Sequence, residues 1–353
     1  MKRKILLLCA VLALAACGSN DEEYYDEYEY EITEPETEPE PEPVLSPPLG
    51  MAVSLLTGEY ITEEAAVRRP FAVVFNNEPR AMPQMGLMQA SIIYEVLAEG
   101  ATTRLVAIFQ DFDAEMIGPI RSSRYYTAQI AADHGAVFVH HGNSPAGGAA
   151  IGRLGLYRVD GMRYDGSIIW RDAVRRQERG MEHSSFTSAE NLLHLAEQNN
   201  FNMTAPQNLG LFEFFDEPTA PSPQNIANVT NVPFHGSNIS IFRYNPESKT
   251  YFKYIFGEPH MDGLAEEQVN VKNILVQVTN ISIIAGDPEG RRDVGIVGAG
   301  HGYLITHGTY TRVYWEKTAE YAPTRWKNAD GEPLQLNRGI TWISIINGQP
   351  TFE

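Results

Sequence analysis

The chain has 353 residues, 45 of them acidic against 27 basic, and a formal net charge of −18. Without a broad basic excess it has no footprint for nucleic acid, which is not expected as a partner, and it is equally unsuited to lying on anionic lipid. Its two cysteines, Cys9 and Cys17, fall at the start of the chain, which leaves the body without a disulfide, a thiolate nucleophile or a Cys-ligated zinc.

Lys2, Arg3 and Lys4 precede an unbroken apolar run at 5–16. That run is shorter than the about 20 residues a spanning helix needs, and it has the length of a signal-peptide core. It ends in Leu14-Ala15-Ala16-Cys17-Gly18, small residues followed at once by a thiol. This is the pattern of a bacterial lipobox, where the thiol takes a lipid and the cut falls before it. Residues 1–16 are read as a signal peptide and Cys17 as the lipidation site. The mature chain is then anchored by its lipid to the outer face of the cell membrane rather than spanning it. Residues 17–52 form a tether. Its stretch at 21–43 holds twelve acids and no base and ends in alternating Glu and Pro. Like charges and a polyproline II preference predict an extended spacer of about 3.1 Å per residue that builds no core.

Residues 53–216 alternate two patterns. Apolar runs at 71–75, 92–97, 104–109 and 136–140 predict strands. Residues 122–133 have helical spacing with Gly135 beyond their end, and 188–199 open on a Ser N-cap. The Pro-rich stretch 217–231 reads as a linker. From 232 to 353 short β runs dominate, at 239–244, 250–256, 273–284, 302–317 with a hairpin turn at His307-Gly308, and 340–346. The fold class is α+β, a mixed α/β domain at 53–216 followed by a smaller, mostly antiparallel β domain at 232–353.

Gly118-Pro-Ile-Arg-Ser-Ser-Arg124 is the strongest local signal. A Gly-Pro turn opening a helix whose first turn carries Arg121, Ser122 and Arg124 offers N–H groups, a hydroxyl and guanidinium forks to a phosphate, carboxylate or acidic sugar. The structural alternative has Arg121 and Arg124 pinned by Asp111, Asp113 or Glu115. Glu95 and Glu99 fall on one face of a strand, about 13 Å apart. Drawn closer by a turn at Glu99-Gly100 they would suit glycoside hydrolysis. The favoured reading instead has them bind Arg104, Arg121 or Arg124 in a buried network.

His140 and His141 are neighbours on a strand, face opposite sides and cannot share a metal. His141 and Ser144 border a stretch of small residues, Gly142-Asn-Ser-Pro-Ala-Gly-Gly148, that admits a ligand. His183 is a third polar candidate. No Gly-x-Ser-x-Gly elbow is present, so Ser/His hydrolysis is not expected, and neither is a metal or cofactor. Tyr303, Tyr310, Tyr314, Trp315, Tyr321, Trp326 and Trp342 are read as β core rather than a sugar platform.

Several strings occur in order: Arg69-Pro-Phe-Ala-Val-Val-Phe-Asn-Asn77, Ile117-Gly-Pro-Ile-Arg-Ser-Ser-Arg124, His141-Gly-Asn-Ser-Pro145, Ala322-Pro-Thr-Arg325 and Gly339-Ile-Thr-Trp-Ile343. Together they resemble the YerB-like family of bacterial lipoproteins over nearly all of the chain after the tether. The resemblance implies export and anchoring but no activity. One departure stands at Glu182-His183-Ser184-Ser185-Phe186-Thr187, where relatives tend to have Asn at the position of Ser184.

The resulting ligand-binding set is Arg121, Ser122, Arg124, Glu95, Glu99, Arg104, His141, Ser144 and His183. It would serve a non-catalytic envelope protein that binds an anionic wall component or another envelope protein. The alternative is a wall-directed hydrolase with Glu95 and Glu99 as its carboxylates.

Overall fold

Strands Phe71–Asn77, Ile92–Glu99 and Thr102–Phe109 are buried at almost every position, the pattern of strands covered on both faces. The computed structural model describes residues 47–353 apart from Asn208, so the signal peptide, Cys17 and the acidic run lie outside the described residues. The three strands sit inside a ten-stranded sheet. Its spatial order is Arg325–Lys327, Thr309–Lys317, Gly298–Thr306, Asn273–Val278, Thr341–Ile346, Ile92–Glu99, Thr102–Phe109, Phe71–Asn77, Val137–His140 and Arg158–Asp160. Strand Thr341–Ile346, almost the end of the chain, lies parallel to both its neighbours. Strands from either side of the Pro-rich stretch therefore share one sheet.

The architecture is α+β, an α/β region followed by a mostly antiparallel one. In the first region, helices Tyr125–Asp133 and Pro145–Arg153 each lead into a strand, Val137–His140 and Arg158–Asp160, that runs parallel to its neighbour. In the second, Val229–His235, Asn238–Asn245 and Thr250–Ile255 form an antiparallel meander that packs on the large sheet, with Phe242 edge-on to Trp342 at 5.9 Å. The run at 273–284 is two strands. The chain leaves the large sheet after Val278, and Ile281–Ile283 pairs with Arg292–Val294 instead. Trp315, Trp326 and Trp342 are buried, as core residues should be, whereas Tyr314 and Tyr321 are exposed. Among the described residues no helix is long and apolar enough to cross a membrane.

Between the two sheets lies a buried ion pair. Lys253 Nζ is 3.7 Å from Glu95 Oε2, and both side chains are inaccessible to solvent. Glu95 Oε1 accepts from Asn77 Nδ2 and Thr103 Oγ1, each at 3.0 Å, and Oε2 accepts from Ser240 Oγ at 2.8 Å. The lysine ammonium lies 4.7 Å from the centre of the Trp342 ring. Burial lowers the Lys253 pKa, and Glu95 opposes that shift.

Removing one partner strands a charge with no water to receive it. Glu95→Leu or Lys253→Met alone should cost about 3–5 kcal/mol, whereas the double variant Glu95→Leu/Lys253→Met should cost less than either. Urea denaturation of the three variants measures this, and a double variant that costs the sum of the singles would contradict the coupling.

Candidate functional site

Strands Val137–His140 and Arg158–Asp160 run parallel and end side by side, while the parallel strand Phe71–Asn77 next to them continues further. In open sheets with such strands, ligands bind in the crevice beyond the carboxyl ends. His141 follows Val137–His140, and Asp160 ends Arg158–Asp160. A cleft of about 530 Å³ lies here, lined among others by Arg121, Ser122, His141, Asn143, Asp160 and Arg171.

The arginine segment reaches the cleft differently from its sequence reading. The helix starts at Tyr125 with Arg124 as N-cap, so residues 121–124 precede it. Ile120 bridges to Phe75. The Arg121 N–H then donates to Val74 O (2.8 Å), that of Ser123 to Gly142 O (3.0 Å) and that of Arg124 to Thr127 Oγ1 (2.8 Å). These three N–H groups are spent on the fold. Ser122 Oγ donates to His141 O at 3.0 Å.

His141 is held at both nitrogens. Arg171 Nη2 lies 2.7 Å from Nε2, and Ser185 Oγ lies 2.8 Å from Nδ1. A guanidinium only donates, so Nε2 accepts and Nδ1 carries the proton. Burial first, then Arg171, lowers the His141 pKa and favours this neutral form. Arg171 also donates to Met181 O (2.7 Å) and stands 3.4 Å from Asp165. Asp160 Oδ1 accepts from the N–H of Gly142 (2.9 Å) and of Met162 (3.0 Å).

Beside the cleft the other arginines form a ladder with acids. Arg121 pairs with Glu182 and, at 3.5 Å, with Glu78. Arg104 is 3.8 Å from Glu78 and 3.2 Å from Glu99, and Arg124 pairs with Glu99 as well. Burial, then Arg121, lowers the Arg104 pKa to about 10. The acids expected to pin the loop are not the partners, since Asp111 accepts from Thr62 and Asp113 from Gln89.

Four sequence candidates take other places. The register shifts between Leu97 and Glu99, and such a bulge reorients the residue that follows. Glu95 consequently meets the meander while Glu99 meets Arg104 and Arg124, so the two carboxylates do not face one substrate. Ser144 is a helix N-cap whose Oγ accepts from the Gly147 N–H at 3.1 Å, with Pro145 in the first turn. His183 is buried beside the ladder, its Nδ1 2.9 Å from Asn76 Nδ2. Ser184, at the position of the departure, donates to Met181 O at 2.9 Å. Asp160, Arg171 and Ser185 were not singled out by the sequence. The three-residue strand Arg158–Asp160 is too short to register as periodicity, and Arg171 sits in no motif.

The chain matches two family models, "Protein of unknown function (DUF3048) N-terminal domain" over residues 56–202 and "Protein of unknown function (DUF3048) C-terminal domain" over residues 230–343. It is 32% identical over 295 residues to the Bacillus subtilis (strain 168) protein "Putative lipoprotein YerB", covering 82% of this chain and 85% of that one. The crystal structure of YerB protein from Bacillus subtilis matches with a TM-score of 0.73 at 30% identity, over 85% of this chain and 99% of that one. The chain belongs to this YerB-like family.

Gly161 packs directly against the His141 ring, and a Cβ there would overlap the imidazole. Gly161→Ala should displace His141 from Arg171 and Ser185 while leaving the far-UV circular dichroism unchanged. Histidine ring NMR checks this, and an unshifted His141 resonance would contradict the packing.

Proposed function

We propose that this family member is a lipid-anchored lipoprotein on the outer face of the cell membrane, whose body binds an anionic envelope component in the cleft without catalysis. The lipobox at Cys17 and the word lipoprotein in the name of the Bacillus subtilis relative support the anchoring. The observation that supports the binding is the convergence of Arg121 and Arg171, the latter steadied by His141, beyond the ends of two parallel strands. Arg171 is fixed by Asp165, Met181 O and His141. A guanidinium held in place beforehand binds an anion at less entropic cost. Paired-glutamate hydrolysis has no such support, because Glu95 is inaccessible and tied to Lys253.

Anchoring is tested by feeding cells a labelled fatty acid. Wild type should incorporate label and Cys17→Ala should not, and equal labelling of both would end the claim. Binding is tested by titrating inorganic phosphate and a polyanionic wall fragment into wild type, Arg121→Ala and Arg171→Ala. Each variant loses charge-assisted hydrogen bonds worth about 1.5–3 kcal/mol, so affinity should fall roughly tenfold or more while the melting temperature holds. A wild type that binds neither probe, with variants that melt early, would make both arginines pins of the fold.

A further inference from the structure

The cleft that holds Arg121 and Arg171 also has an apolar rim. Met162 and Met181 line it, and they are 73% and 54% exposed. A single exposed apolar side chain needs no explanation, but here two stand on one cleft. Each is fixed through its backbone by a charged group of the cleft. The Met162 N–H donates to Asp160 Oδ1 at 3.0 Å, and Met181 O accepts from Arg171 Nη1 at 2.7 Å. The Met162 side chain reaches Gly142, where φ is 73°. A Cβ at Gly142 would lie 3.6 Å from Met162 Cγ and 3.7 Å from Ser122 Oγ. The absence of a side chain there keeps open the space between a thioether and a hydroxyl.

Charge alone gives this cleft little hold on an anion. Its lining carries two carboxylates, Asp160 and Glu182, beside the two arginines. Asp160 Oδ1 is answered by the N–H groups of Gly142 and Met162, and Glu182 pairs with Arg121. An anion entering on Arg121 exchanges one carboxylate partner for another at a solvent-exposed pair, which gains little. Arg171 spends N–H groups on Asp165, Met181 O and His141, so two of the five on a guanidinium remain. The further source of affinity is the apolar rim. A methionine side chain is unbranched and polarizable and adapts to the shape laid against it. Each methylene it covers is worth about fourfold in affinity.

We propose that the ligand of this cleft is an amphiphilic phosphate monoester, with its phosphate on Arg121 and Arg171 and its apolar chain along Met162 and Met181. The proposal rests on the anion-binding reading of the cleft and narrows it to a class of ligand. Two guanidiniums brought in by separate segments suit the three terminal oxygens of such a phosphate.

The test titrates the full mature chain with methyl phosphate, hexyl phosphate and hexan-1-ol while the methyl resonances of Met162 and Met181 are followed by NMR. Hexyl phosphate should shift both resonances to saturation. Covering two methylenes should make it bind roughly tenfold more tightly than methyl phosphate, and hexan-1-ol should not saturate. In the double variant Met162→Ser/Met181→Ser the ratio of the two phosphate affinities should fall towards one, whereas Met162→Leu/Met181→Leu should keep it. A folding defect would weaken both phosphates together and leave the ratio alone. Phosphatidylcholine vesicles with and without phosphatidic acid identify the source of the ligand. Co-sedimentation that requires phosphatidic acid assigns a lipid headgroup, and hexyl phosphate binding without it assigns a free ester; either agrees with the proposal. Equal affinity for methyl and hexyl phosphate would overturn it and leave the anion cleft standing. Saturable binding of neither phosphate would remove both readings. Hexan-1-ol binding as tightly as hexyl phosphate would overturn the proposal by showing that the phosphate contributes nothing.

Discussion

Everything in the fold depends on where strand Thr341–Ile346 sits. Its backbone bonds Ile92–Glu99 on one side and Asn273–Val278 on the other, parallel to both. Without it each neighbour would end in unpaired N–H and C=O groups, a sheet edge open to aggregation. All six of its residues are buried, so the strand also supplies core to both faces. The family is described by two models that part at the Pro-rich stretch, yet the chain's last long strand closes the sheet between them. Pairings this distant in sequence require a long loop closure before they stabilise anything. The first region therefore completes its sheet only when residues 341–346 are available.

The sheet gains a second level of order from its buried polar groups. His260, Gln84, Asn77, Glu95 and Ser240 form one connected run of hydrogen bonds between the large sheet and the meander, with Lys253 as the cation. An apolar interface tolerates many sliding arrangements, whereas a chain of directional hydrogen bonds accepts few. One network thus explains two observations. It takes Glu95 out of contention for chemistry, and it fixes which nitrogen of His260 holds the proton.

What the sequence made legible follows the same physics. Strands covered on both faces announce themselves as apolar runs, and their positions were read within a few residues. Ser188 caps its helix through the Asn191 N–H as expected, and His307-Gly308 forms the hairpin turn with φ of 51° and 77°. Helix Pro145–Arg153 was missed because Pro-Ala-Gly-Gly-Ala-Ala-Ile-Gly-Arg has poor helix propensity, and only the Ser144 cap and tertiary packing make it form. The helix at 122–133 was started too early because residues 121–124 are drawn to the sheet by Val74 and Gly142, acceptors far away in sequence. The bulge before Glu99 leaves no mark in the sequence at all. It turns two glutamates read on one face into members of different networks.

The ladder decides which arginine is available to a ligand. Its rungs run Glu182, Arg121, Glu78, Arg104, Glu99, Arg124, so each interior charge is already answered. Arg104 is 2% exposed, and a pair at that depth is expensive to break because the abandoned partner stays dry. Glu182, at the other end, is 61% exposed. Ion pairs in water contribute about 0–1 kcal/mol, and a released Glu182 would be solvated at once. An incoming anion in the proposed site therefore competes with Glu182 for Arg121, while Glu78 stays on the guanidinium's other side. Arg121 is in this way both anchored and exchangeable, the combination a binding residue needs and a purely structural one lacks.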